Sequence, residues 1–233
     1  MNTHGRRGGF ALVDVLVSVS VVALLVGIML PAIAMTRASA KRLICSSQLR
    51  QLGLCLQLYT DDNAGHLVDS DFVDSLARSQ YMPEETNTLR MSRGAWDGLG
   101  TLHNDGYMDA PGVYYCPGHT GDFVFEEFED RFAGAPGEIL APYHYRAGGS
   151  EGLTKKFHLP PSRAMVTDLL GDHVARNHED GMNVLRADAS VDWVRDTTIE
   201  VVSKALFTLI EPSDAIDTQW KILDQSKSVL LPQ

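Results

Sequence analysis

Residues 15 to 36 carry no charged side chain, and a run of that length crosses a hydrocarbon core of about 30 Å as a helix. Beyond Pro31 the segment AIAMTRASAKRLICSSQLRQLGLCLQLYTDDNAG keeps a helical pattern until Asp61, Asp62, Asn63 and Gly65 stop it. A helix from Phe10 to Thr60 would be about 75 Å long, with a bend predicted at Pro31. In its second half Cys45, Leu49, Leu52, Leu56 and Tyr59 recur at helical spacing as one apolar stripe, while Leu43, Leu54 and Leu58 lie on the opposite side. Two stripes call for two partners, either the chain's own globular part and neighbouring helices, or a globular part that wraps a core helix on both sides. After Asp62 the period shortens. VYYC (113 to 116), FVFEEF (123 to 128), PYHYRA (142 to 147), AMVTDLL (164 to 170), MNVLRA (182 to 187) and SVDWV (190 to 194) read as strands, the last two as a hairpin. TIEVVSKALFTLI (198 to 210) reads as a closing helix, and the tail from Glu211 is unassigned. The fold class is α+β: a long N-terminal helix packed on a small antiparallel-sheet head, with one soluble domain over residues 62 to 233.

Charge sharpens this division. Residues 1 to 60 hold six Lys/Arg against the lone Asp14, so with a net charge of −10 for the chain the remainder carries −15. An acidic head repels phosphate backbones, which argues against nucleic acid as a partner. Three cysteines are too few for a disulfide framework and lack CxxC spacing. Cys45 and Cys55 stand about 15 Å apart along one helix and cannot bridge each other, whereas either could reach Cys116.

Asp14 stands out at the start of the apolar run. A charge at the centre of a span costs roughly 2.5–3.5 kcal/mol on the mildest scale, so such an acid normally has a partner and a task. The order Arg6, Arg7, Gly9, Phe10, an acid five residues after the glycine and then about twenty apolar residues resembles the processing signal of type IV pilins and type II secretion pseudopilins. The resemblance implies cleavage between Gly9 and Phe10 by a prepilin peptidase that also N-methylates Phe10. It implies a leader over 1 to 9, a pilin-like helix over 10 to 61 with its membrane span at about 11 to 36, and a helix kink at Pro31. It also gives Asp14 an assembly role, neutralising the terminal amine of a neighbouring subunit. Opposite charges about 4 Å apart attract by about 4 kcal/mol at an effective dielectric near 20, enough to offset the cost of holding the acid there. Counting basic residues gives Arg6 and Arg7 on one side and Arg37, Lys41 and Arg42 on the other, so orientation rests on the processing motif: leader in the cytoplasm, head outside it.

CSSQLRQLGLCLQLY, YYCPG and HEDGMNVLRADASVDWV further resemble a large bacterial group of pseudopilin-like proteins that carries a His-x9-Asp-Gly element near its C-terminus. Here His178 and Asp188 meet that spacing, with Ala189 in place of the usual glycine. Such a turn must strain Ala189 or use another geometry. Cys45 and Cys116 sit where the group places its cysteines, and the resemblance thereby implies a Cys45–Cys116 disulfide that staples helix to sheet.

Asp168, Asp172, His173, His178, Asp188 and Asp192 cluster in sequence, yet HExxH, GxSxG and a phosphate-cradling glycine loop are all missing. No enzyme activity, cofactor or metal is expected; were a metal bound, Asp168, His178 and Asp188 are the first candidates. The sequence reads as a structural (pseudo)pilin subunit of a type II secretion or type IV pilus-like filament, single-pass in the inner membrane, with the head periplasmic or in an extracytoplasmic filament. Its partners would be the prepilin peptidase/N-methyltransferase and other pilin-like subunits. The alternative is an uncleaved membrane-anchored extracytoplasmic protein whose head binds a carbohydrate or a metal.

Overall fold

The computed structural model describes residues 12–71, 86–146, 159–168, 177–178, 181–195 and 212–226. The Gly9–Phe10 processing motif and the closing helix expected over 198–210 lie outside the described residues.

Helix α1 runs from Leu12 to Asp62 and passes through Pro31. The chain divides into two units, Met1–Ala40 and Lys41–Gln233. In the first, the helix is long and apolar enough to cross a membrane, with a mean hydropathy of 2.6 over its best 18-residue window and none of that window buried. Three of its hydroxyls are satisfied locally: Ser18 donates to the Asp14 carbonyl (2.6 Å), Ser20 to the Leu16 carbonyl (2.7 Å) and Thr36 to the Ala32 carbonyl (2.9 Å). Back-bonding of this kind lets a polar side chain sit in an apolar helix without an outside partner. The helix ends where the polar run predicted. Gly65, at φ 82°, donates its N–H to the Thr60 carbonyl at 2.7 Å and closes the last turn.

The second unit is built on five described strands, β1 (Thr86–Arg90), β2 (Ile139–Tyr145), β3 (Ala164–Thr167), β4 (Gly181–Arg186) and β5 (Val191–Arg195), paired antiparallel in chain order. Between β1 and β2 lie α2 (Gly100–Asn104), a 3-10 turn (Pro111–Tyr114) and α3 (Phe125–Phe132); α4 (Pro212–Gln225) follows the sheet. Cys45, Leu49, Leu52, Cys55 and Leu56 of α1 join the main core with Leu89, Tyr143, Val166 and Leu185 from the strands. Trp220 and Leu223 of α4 form a second core with Ala164, Met182, Val184 and Val194. Both faces of β4 are therefore covered, and all six of its residues are buried although its neighbour β5 is mostly half-exposed.

Strands β2 to β5 and the hairpin fall where the sequence placed them. Two expected strands do not form. VYYC enters a 3-10 turn because Pro111 sits at its first position, where a fixed φ and missing N–H suit a helical start. FVFEEF gives way to α3: carried on to residue 132, Phe125, Phe128 and Phe132 recur at helical spacing, with Glu126 and Glu127 in the first turn and Arg131 in the last. Strand β1, TNTLR, had no hydrophobic alternation to reveal it, and α4 forms in the tail left unassigned.

The hairpin takes the strained option. Ala189 adopts φ 63°. Its N–H donates to the Arg186 carbonyl (2.9 Å) and the Arg186 N–H to the Ser190 carbonyl (2.8 Å), a three-residue connection ending in a left-handed residue.

Candidate functional site

Four chain segments converge at one end of the sheet. Cys45 projects from α1, Cys116 follows the 3-10 turn, Asp168 directly follows β3, and His178 lies shortly before β4. Each offers one donor atom, and all four atoms lie within 4.8 Å of one another. The Asp168 carboxylate is the hub. Its Oδ2 accepts from the Cys45 thiol (3.1 Å) and faces His178 Nε2 at 3.3 Å, and the same His178 nitrogen lies 3.5 Å from Cys116 Sγ.

A ring of neighbours holds these groups. Asn183 of β4 donates its backbone N–H to Asp168 Oδ1 (2.9 Å) and its side-chain amide to Oδ2 (2.8 Å), fixing the carboxylate plane. Asn177 donates to the Asp168 carbonyl and contacts His119 Nδ1. Tyr143 of β2 lies 3.1 Å from Cys45 Sγ and donates to Gln48 Oε1 at 2.9 Å. The Gly118 N–H donates to Cys116 Sγ (3.3 Å). Trp193 meets the His178 ring edge-on at 5.6 Å, and the Arg42 guanidinium lies 4.5 Å from the Trp193 ring centre.

Cys45 is fully buried, and Asp168 and Cys116 are nearly so. Burial, reinforced by its contacts with Cys116 and the Asp168 carboxylate, pushes the Cys45 thiol far above the ordinary range. The hydrogen bond with Cys45 pulls Cys116 down against burial, aided by His178. Burial alone would lower His178, but Asp168 and Cys116 outweigh it and raise the imidazole to about 9. Cys45 is thus held as a thiol, while Cys116 and His178 are drawn toward their charged forms by the groups they touch.

The sequence candidates separate here. Asp168 and His178 are brought together, whereas Asp188 stands exposed at the hairpin turn, accepting from the Ser190 N–H at 2.9 Å. Hydrogen bonds from Ser190 outweigh partial burial and lower the Asp188 carboxyl. Asp188 therefore leaves the candidate metal set and Cys45 and Cys116 enter it. Those two cysteines, the expected bridge, are neighbours but free thiols, and Cys55 instead donates to the Tyr107 carbonyl at 3.0 Å. Asp14 sits in the first turn of α1 and Pro31 within it. Asn183 and Asn177 carry no motif that marks them in the sequence. A buried-strand asparagine between Met182 and Val184 is the signal that could have found the first.

A thiol, an imidazole and a carboxylate in contact have the composition of a nucleophilic triad. The geometry differs: a relay needs one ring nitrogen for the nucleophile and the other for the acid, but here Nε2 faces both. The chain matches no protein-family model, no curated protein and no solved structure.

Proposed function

We propose that the chain is a pilin-like structural subunit, cleaved between Gly9 and Phe10, anchored by the first part of α1 in the inner membrane, and assembled through α1 with other pilin-like helices while its acidic head stays outside the cytoplasm. The observation that carries this reading is the helix itself. Leu12 to Met35 expose apolar side chains to their surroundings, and an acid stands in the first turn, five residues after Gly9. A plain anchor has no reason to keep a carboxylate at that position.

The second half of α1 adds support. Cys45, Leu49, Leu52 and Leu56 are buried against the head, whereas Leu43, Ile44, Leu54 and Leu58 stay half-exposed or more. A helix that presents a second apolar stripe outward suits packing in a bundle of like helices. Intact mass and N-terminal sequencing of the chain co-expressed with a prepilin peptidase test the reading. A product beginning at N-methyl-Phe10 is expected; a chain still beginning at Met1 would remove it.

One observation favours the second reading, an uncleaved anchored protein whose head binds a ligand: the four-donor cluster built into the head. Its chemistry stands whichever way the leader is handled.

A further inference from the structure

We propose that Cys45, Cys116, Asp168 and His178 form a closed, four-ligand structural site for a zinc-class divalent metal ion, which ties α1 to the sheet. The argument starts from convergence. Four donors drawn from four separate segments lie within 4.8 Å of one another, although buried polar groups need only pairwise partners. A tetrahedral ion with bonds of about 2.0 to 2.3 Å sets its ligand atoms about 3.3 to 3.8 Å apart. The contacts of 3.1, 3.3 and 3.5 Å around Asp168 Oδ2 and His178 Nε2 already lie near that spacing.

Donor type selects the ion. Two sulfurs with one imidazole and one carboxylate suit borderline-soft Zn2+; calcium and magnesium take oxygen ligands. Four protein donors with almost no solvent exposure leave no open coordination position, so the site is structural and not hydrolytic.

The surroundings match what metal ligands require. Asn183 fixes both Asp168 oxygens, the Gly118 N–H supports Cys116 Sγ, and the Tyr143 hydroxyl reaches Cys45 Sγ. Outer contacts of this kind orient ligands, and losing one typically costs about 10–100-fold in metal affinity. Gly118 is the steric condition. A Cβ there would lie 2.3 Å from the Asn177 carbonyl oxygen and 2.9 Å from His178 Cε1, so only glycine lets Cys116 and His178 come together.

A disulfide is the competing fate of the two cysteines. It would need a sulfur–sulfur distance near 2.05 Å and would withdraw both sulfurs from the cluster. The decisive experiment loads the detergent-solubilised, reduced full-length chain with Zn2+ or Co2+ and measures bound metal by mass spectrometry and the Co2+ absorption spectrum. One ion per chain is expected, with tetrahedral ligand-field bands and sulfur-to-cobalt charge transfer. Cys116→Ser and Asp168→Asn should lose binding or shift those bands; Tyr143→Phe should weaken affinity about tenfold. Asp188→Asn and Cys55→Ser should bind as the parent does. No bound metal, or Co2+ without sulfur charge transfer, overturns the site and needs no variant to fold. Quantitative linkage of Cys45 to Cys116 in non-reduced peptides from the native host likewise overturns it in favour of a staple. Failure of N-terminal processing would touch none of these readouts.

Discussion

Gly118 shows how one missing side chain holds a site together. The clash its Cβ would make is with the backbone oxygen of Asn177, so it cannot be relieved by a rotamer change. Gly118→Ala is expected to push residues 177 and 178 away from Cys116 and to cost about 1–3 kcal/mol. Denaturant unfolding measures the cost; cysteine alkylation should then find Cys116 more reactive. Ala189 presents the opposite case. Its left-handed φ of 63° costs roughly 1–2 kcal/mol for a residue with a Cβ, while glycine there would lose about 0.4–1 kcal/mol to unfolded-chain entropy and forgo the partial burial of the methyl on this half-buried residue. Ala189→Gly should stabilise the chain by less than about 1 kcal/mol, and a clear loss of stability would show that the methyl burial wins. Of the site, Asp168 and His178 could be read from sequence because acids and histidines are conspicuous. Asp188 shared their chemistry but not their location, since a residue at the tip of a hairpin points away from the sheet end where β3 stops. Cys45, more than a hundred residues upstream of Asp168, could be paired with Cys116 only through resemblance. Chain distance hides what the fold brings together.

At the scale of elements, α4 is held to the sheet by charge as well as by Trp220 and Leu223. Asp224 receives the buried Arg146 guanidinium at 3.0 Å, Arg163 at 3.1 Å and the Ala164 N–H at 2.8 Å. Arg186 adds bonds to the Leu223 and Ser226 carbonyls (3.0 and 2.9 Å) and pairs with Asp192. Removing one partner of a buried pair leaves the other charge without compensation, typically a cost of about 3–5 kcal/mol. Asp224 keeps a fifth of its side chain exposed, which places Asp224→Ala near the lower end, about 3 kcal/mol, by thermal or denaturant unfolding. A change below about 1 kcal/mol would mean that the apolar contacts alone dock α4. The elements legible in the sequence are those whose pattern extends over enough residues: α1, strands β2 and β3, and the β4–β5 hairpin. The FVFEEF window was too short to separate a strand from a helix, and Phe132, beyond its end, settles the period. Strand β1 is buried by its neighbours rather than by its own hydrophobicity, so its threonines and Arg90 gave no pattern to read. Arg90 itself is spent on carbonyls, donating to Arg131 and Gly137 at 2.8 and 3.0 Å, which ties the end of α3 to the sheet.

For the whole molecule, the two stripes of α1 divide stability from association. The inward stripe, with Cys45, Leu49 and Leu52 fully buried, belongs to the head's core. Leu54 and Leu58 are one turn apart on the other side, each more than half exposed, and contribute little to folding. If the proposed bundle of pilin-like helices is right, their burial happens only in the assembly, at roughly 1.5–3 kcal/mol for each leucine fully covered. Leu54→Gln with Leu58→Gln should therefore change the unfolding free energy by less than about 1 kcal/mol but reduce co-assembly by well over tenfold, read by cross-linking in membranes that contain the prepilin peptidase and partner subunits. Asp14→Ala should reduce the same cross-linking while leaving membrane insertion intact, since removing a charge from the apolar run makes insertion easier. The pair of results separates two contributions that a filament would combine, apolar packing along the exposed helix face and charge neutralisation in the bilayer. Unchanged cross-linking in both variants would leave α1 as an anchor alone. The function of the chain would then reside in the head, where Cys45, Cys116, Asp168 and His178 converge.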